Sequence, residues 1–225
     1  MPESILRLAS GLSVSSPETI LAKKFDEWPW EKYDGVTIAD ANVITESDVD
    51  RVYQLGARSS RKAYHELIKS RGKEISKCLR MIPENRSLED ADDKVHSLRT
   101  AVVDLVNIIT DQKGVKLAGA MKLLSPFRPG FLPVIDSIVE NYYWFALSMS
   151  NEAQFRQLEA AYHSTWGDYV WFLLDLMRND IIVARAEIDR VRAAFSEKPL
   201  ASISRVRVLE SLIWYYYARG RYQGD

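Results

Sequence analysis

At 225 residues, 47% hydrophobic and 11% aromatic, the chain has ample material for a packed core, which excludes a disordered polypeptide. One cysteine, Cys78, excludes an internal disulfide and a thiolate-rich zinc site, and the scattered His65, His96 and His163 show no metal-ligand spacing. The formal net charge of −1 is unevenly spread: eight basic residues against Glu66 and Glu74 make the segment Arg58 to Arg80 +6 and the remainder −7.

Met1-Pro2-Glu3-Ser4 has neither the basic start nor the apolar run of a secretory leader, and no apolar stretch approaches the roughly 20 residues that cross a bilayer. The expectation is a cytoplasmic protein without membrane association. Residues 1–15 show no sustained period and are expected to be a flexible arm ahead of a single helical domain over 16–225. Ser16-Pro17-Glu18 supplies an N-cap, a proline at the first helical position and an early acid, opening a short helix to about Trp28. Asp34-Gly35 marks a turn, and Val36-Thr37-Ile38 is β-branched but too short to argue for a sheet. Thr45 to Asp48 reads as a capping arrangement for a second helix that ends near Gly56.

From about Ser59 to Ile82, Tyr64, Leu67, Ile68, Ile75, Leu79 and Ile82 recur at helical intervals, with Gly72 as a break or kink. Basic residues largely occupy the other face. Pro83-Glu84-Asn85 stops this element. Ser87 or Asp90 restarts the chain into the clearest amphipathic helix, with Val95, Leu98, Val102, Leu105, Val106 and Ile109 on its inward stripe. Gly114 ends it, Val115 to Leu124 forms a short helix, and a loop with three prolines leads into a helix over Asp136 to Leu147. Asn141-Tyr142-Tyr143-Trp144-Phe145 is aromatic around most of the helical circumference, which requires either the core or a partner. Glu152 to Met177 is a long helical stretch that Gly167 bends or divides, followed by Asp180 to Phe195 and, after Pro199, Ser204 to Ala218. The pattern is all-α, without the strand and helix alternation of a dinucleotide-binding fold.

The most informative stretch is Lys122 to Ser137, because a proline-stiffened loop delivers Asp136 to the start of an apolar helix. Asp136 reads first as an N-cap accepting from amides near residues 138 and 139; the sharper reading, compatible with it, is a partly desolvated carboxylate able to act as a base or to stabilise positive charge on a sugar. Lys113-Gly114-Val115-Lys116 presents backbone amides and two ammonium groups to a phosphate, or is a glycine cap between solvated lysines. The basic helix carrying Lys69, Lys73 and Lys77 could hold a nucleic-acid backbone or be a solvated face. Arg205 and Arg207 near the start of the last helix call for a compensating anion, with Asp136, Glu210 or another internal acid as candidates. Trp214 and Tyr215-Tyr216-Tyr217 read as core.

Thr45-Glu46-Ser47-Asp48-Val49, Met121 to Leu124 with Arg128-Pro129 and Pro133-Val134-Ile135-Asp136, and Arg205 to Glu210 with Ile213-Trp214 together resemble an uncharacterised bacterial domain family over roughly residues 25–218. The late motif there more often reads Arg-Val-Leu-Asp, so Glu210 lengthens the carboxylate's reach. More distantly, Gly114-Val115-Lys116 followed by Pro133-Val134-Ile135-Asp136 is similar to the helix-hairpin-helix DNA glycosylases. The chain departs from them in lacking the hairpin's second glycine and a cysteine cluster, and Lys116 and Lys122 stand only near the lysine position of bifunctional members. The resemblance implies a helix-hairpin-helix-like bundle in which Asp136 is the catalytic carboxylate and Gly114, Val115 and Lys116 grip phosphate. Lys122 and Arg128 on the cleft segment, and Lys69, Lys73 and Lys77, are expected to add contacts to DNA. No cofactor is expected. The alternative is a non-catalytic module that holds another protein in the same cleft or on the aromatic surface around Tyr142 to Phe145.

Overall fold

The stripe Leu98, Val102, Leu105, Val106 and Ile109 is the inward face of the helix His96–Thr110, whose buried set also includes Ala101 and Ile108. Apolar residues on more than one side let this helix pack between Arg61–Met81 and Trp166–Val183. The structure, a computed structural model, describes residues 4–27, 38–90, 96–195 and 203–220. Over these residues the fold is all-α apart from one small hairpin, β1 (Ile5–Arg7) with β2 (Ser13–Ser15). The helices are α1 (Pro17–Glu27), α2 (Glu46–Gln54), α3 (Arg61–Met81), α4 (His96–Thr110), α5 (Leu117–Leu124), α6 (Ser137–Ser150), α7 (Glu152–Tyr162), α8 (Trp166–Val183), α9 (Arg185–Ala193) and α10 (Arg205–Gly220). One contiguous apolar core runs from Leu6 to Ile213.

The N-terminal residues differ from expectation. Within the expected arm, Leu6 pairs with Val14 across an antiparallel hairpin, and both side chains are fully buried in the core. Three-residue strands are too short to show a period, so only their contacts reveal them. Gly72 does not interrupt α3, which is continuous across it; a lone glycine weakens a helix by about 1 kcal/mol without ending it.

The long stretch from Glu152 does divide, but at His163 to Thr165, where the Thr165 side chain accepts from the Asp168 amide to open α8. Gly167 instead permits close packing: a Cβ there would lie 2.3 Å from the Val103 carbonyl oxygen. The helix expected from Asp180 begins at Arg185, because α8 runs on to Val183. At α2 the expected capping box is formed by Thr45 and Asp48. Trp28, Asp34-Gly35, Val36-Thr37, Val95 and Pro199 lie outside the described residues.

Candidate functional site

The starts of α3, α5, α6 and α8 meet around an open cleft of about 760 Å³. Its walls are the Gly56 to Ser59 turn ahead of α3, Val115 to Gly119 at the head of α5, Ser137 and Glu140 of α6, and Trp166 of α8. Each helix start presents N–H groups without intrahelical partners and a partial positive charge, so their convergence favours an anionic visitor. Arg58 and Lys116, both exposed, add full charges. Lys122 and Asp136 line this cleft and also a smaller inner pocket of about 150 Å³, whose other charged walls are Lys24, Arg207 and Glu210.

Asp136 thus stands at the seam between the two spaces. Its backbone is extended and its Oδ1 caps α6, accepting from the amides of Ile138 at 3.0 Å and Val139 at 3.3 Å. The second oxygen accepts from Trp214 Nε1 at 3.2 Å. The side chain remains half-buried and in contact with both cavities. The proline loop ahead of it is anchored from below by the buried Phe131, Leu132 and Ile135. From the side it is held by α10 and its leading residue. Ser204 Oγ donates to the Pro129 carbonyl at 2.6 Å, Glu210 Oε2 accepts from the Val134 amide at 2.8 Å, and Trp214 reaches Asp136 itself.

The anions that compensate the two arginines of α10 are internal. Arg207 bonds Glu210 at 2.7 Å and the Ser125 hydroxyl at 3.1 Å, while Arg205 pairs with Asp189 and Glu89. Asp136 is partner to neither in these bonds, and its charge is left facing Lys24 and Lys122. Lys24 is buried, with Nζ 3.5 Å from the Trp214 ring centroid. Burial pushes its amine down to about 8, outweighing the attraction of Glu210 and Asp136. Lys122 donates to the Leu55 carbonyl at 2.7 Å and is likewise pushed down by burial. Glu140, one turn along α6 from Asp136, is pushed up by burial and by the Asp136 charge, partly offset by the Tyr169 hydroxyl.

The other residues expected at the site fall into three groups. Gly114 takes φ +95°, a conformation that favours glycine, and turns α4 into α5. The amides that follow are partly used internally: Val115 donates to the Gln112 carbonyl and Lys116 to Ser59 Oγ. Leu117, Ala118 and Gly119, which open α5, line the cleft. Lys69, Lys73 and Lys77 share an exposed face of α3, but at 1.5 Å per residue they stand about 15 to 27 Å along the axis from Ser59. The structure does not bring them to the cleft.

Arg128 is a correction. Its side chain is fully buried. Its guanidinium donates to the carbonyls of Ile82, Ala41, Phe127 and Leu79 and to Asn42 Oδ1. These bonds satisfy the last carbonyls of α3, so the charge is spent inside the fold and cannot meet a phosphate.

Lys24, Glu140 and Ser211 are site residues that motif reading passes over. Lys24 carried a signal: with Pro17 and Leu21 it forms an i, i+4, i+7 stripe, all buried, which puts a lysine where the helix faces inward. Among the described residues, no group of His, Cys, Asp or Glu side chains could hold a metal ion, and no helix is long and apolar enough to cross a membrane.

Fold and site together define an all-α protein whose helix starts surround a carboxylate at the mouth of an inner pocket. The chain belongs to the family of unknown function DUF6308, whose model matches residues 19–217. That span takes in the pocket from Lys24 to Trp214. No curated protein and no solved structure matches the chain.

Proposed function

We propose that this is a cytoplasmic, DNA-associated protein that acts in the manner of the helix-hairpin-helix glycosylases. The observation that carries the reading is the position of Asp136, at the seam between a cleft ringed by helix starts and a pocket lined with polar groups. Phosphates would rest on the amides at the head of α5, assisted by Lys116 and Arg58. A nucleotide turned out of the duplex would pass its base inward past Asp136, whose carboxylate would stabilise positive charge growing on the sugar or take a proton from the attacking water.

The test is salt-dependent binding of duplex DNA, followed by base release from uracil-containing and alkylated oligonucleotides with wild type and Asp136→Asn. Binding should fall steeply with added salt, and the substitution should slow release by roughly 10²-fold or more. Absence of binding at low salt removes DNA from the account. Binding without release leaves a non-catalytic DNA module.

A second reading, a module that holds another protein, is favoured by a different surface. Phe145, Met149 and Tyr216 are 57%, 74% and 40% exposed around a groove formed by the hairpin tip, α6 and α10. Exposed apolar residues gathered in this way mark contact surfaces.

A further inference from the structure

We propose that the inner pocket admits a single-ring heterocycle with ring carbonyl and N–H groups, a pyrimidinedione such as uracil, and turns away the two-ring purines. This deepens the glycosylase reading, on which it rests only for the way the ring arrives.

Size is the first argument. The pocket measures about 150 Å³, and a cavity of about that volume in a protein interior accommodates one benzene ring. A fused second ring would exceed that volume and have to extend past Asp136 into the outer cleft. Leu55 and Val134 touch each other apart from the main core and both line the pocket, giving an apolar wall for a ring face.

The polar lining supplies the second argument. Ser211 is among the residues that line this pocket, it is 1% exposed, and its hydroxyl has no hydrogen-bond partner among the described residues. A buried hydroxyl in that condition is destabilising unless something meets it. It can donate to a ring carbonyl or accept from a ring N–H. Lys24 and Lys122 bring ammonium donors to the same space, while Asp136 and Glu210 bring acceptors. A pyrimidinedione offers carbonyl oxygens to the first pair and an N–H to the second. Cytosine replaces one carbonyl acceptor with an amino donor, which leaves one of the two ammonium groups without a carbonyl partner.

Calorimetric titration of the full chain with uracil, cytosine, adenine and inorganic phosphate tests this, using wild type, Ser211→Ala and Ser211→Leu. Uracil should bind, cytosine more weakly, and adenine not measurably. Ser211→Ala should weaken uracil roughly fivefold, as expected for one lost hydrogen bond. Ser211→Leu should abolish binding by filling the space, with thermal unfolding to check its fold; the smaller alanine variant keeps the test decisive if the leucine variant fails to fold. Four results overturn the assignment: adenine binding as well as uracil, phosphate binding in place of uracil, uracil binding unchanged in Ser211→Ala, or no uracil binding. DNA binding and purine release without uracil selectivity would leave the glycosylase reading standing and remove this one. Uracil selectivity without DNA binding would do the reverse.

Discussion

Ser10 and Asp180, 170 positions apart in sequence, are bonded twice: the Ser10 amide and hydroxyl each donate to the Asp180 carboxylate at 2.7 Å. The Tyr143 hydroxyl donates to the same carboxylate at 2.9 Å, and the Ser10 hydroxyl lies against that of Tyr142. A buried charge therefore ties the N-terminal hairpin to α6 and α8. Burial raises this carboxyl above the ordinary aspartate value of 3.8 despite its donors. The folded chain consequently takes up the proton more readily than the unfolded one. The stability this group contributes is full below that ordinary value and fades as pH rises through the raised one. Thermal unfolding of wild type and Asp180→Asn across acid and neutral pH should show wild type's relative advantage greatest in acid. An advantage that grew toward neutrality would contradict the assignment.

Lys24 predicts the complementary behaviour for a base. Its amine falls from 10.5 in the unfolded chain to about 8 in the fold. Its contribution is therefore complete above 10.5 and is lost as pH falls toward 8. Compared with Lys24→Met, wild type should gain stability across that interval, and the methionine variant should be the more stable protein at neutral pH. Paired melting curves at neutral and alkaline pH measure it; identical curves at every pH would mean that Lys24 is solvated.

Arg128→Ala should cost more than about 3 kcal/mol in urea unfolding, since it strips buried carbonyls of their donors. A surface arginine serving only a phosphate would leave stability within about 0.5 kcal/mol. The two outcomes are far enough apart to separate a structural role from a binding one.

Asp136 can be divided into its two roles by a pair of substitutions. Asparagine retains an oxygen for the amides of Ile138 and Val139, so Asp136→Asn should change unfolding free energy by only a few tenths of a kcal/mol, whereas Asp136→Ala should cost about 1 kcal/mol. On the proposed reading, base release should slow by roughly 10²-fold or more in both. Equal destabilisation by the two variants would show that something other than capping holds this residue.

Features carried by many residues in one register were legible before any coordinates. The α4 stripe and the Thr45 capping box are of this kind, as is Asp136 at the head of α6, because each follows from a period or from the valence of one helix end. Tertiary partners were not. Leu6 and Val14 are single apolar residues in three-residue strands, and only their burial against the core distinguishes them from a loose arm. Arg128 is expected to meet DNA from its place on the cleft segment alone; the carbonyls of Ile82 and Leu79 that consume it come from residues 46 and 49 positions away. The inner pocket was hidden for the same reason, since it joins α1, α5, α6 and α10.

The way α10 grips the proline loop carries one more consequence. Ser204, Glu210 and Trp214 meet Pro129, Val134 and Asp136 in the same order along two strands of chain, so the last helix serves as a jig on which the loop is set. Sliding the helix by a single turn would release every rung together, and the acid would swing out of alignment in one step. Because α1 packs on α10 and brings Lys24 over Trp214, the two extremities of the polypeptide act jointly as guardians of a geometry encoded in its middle.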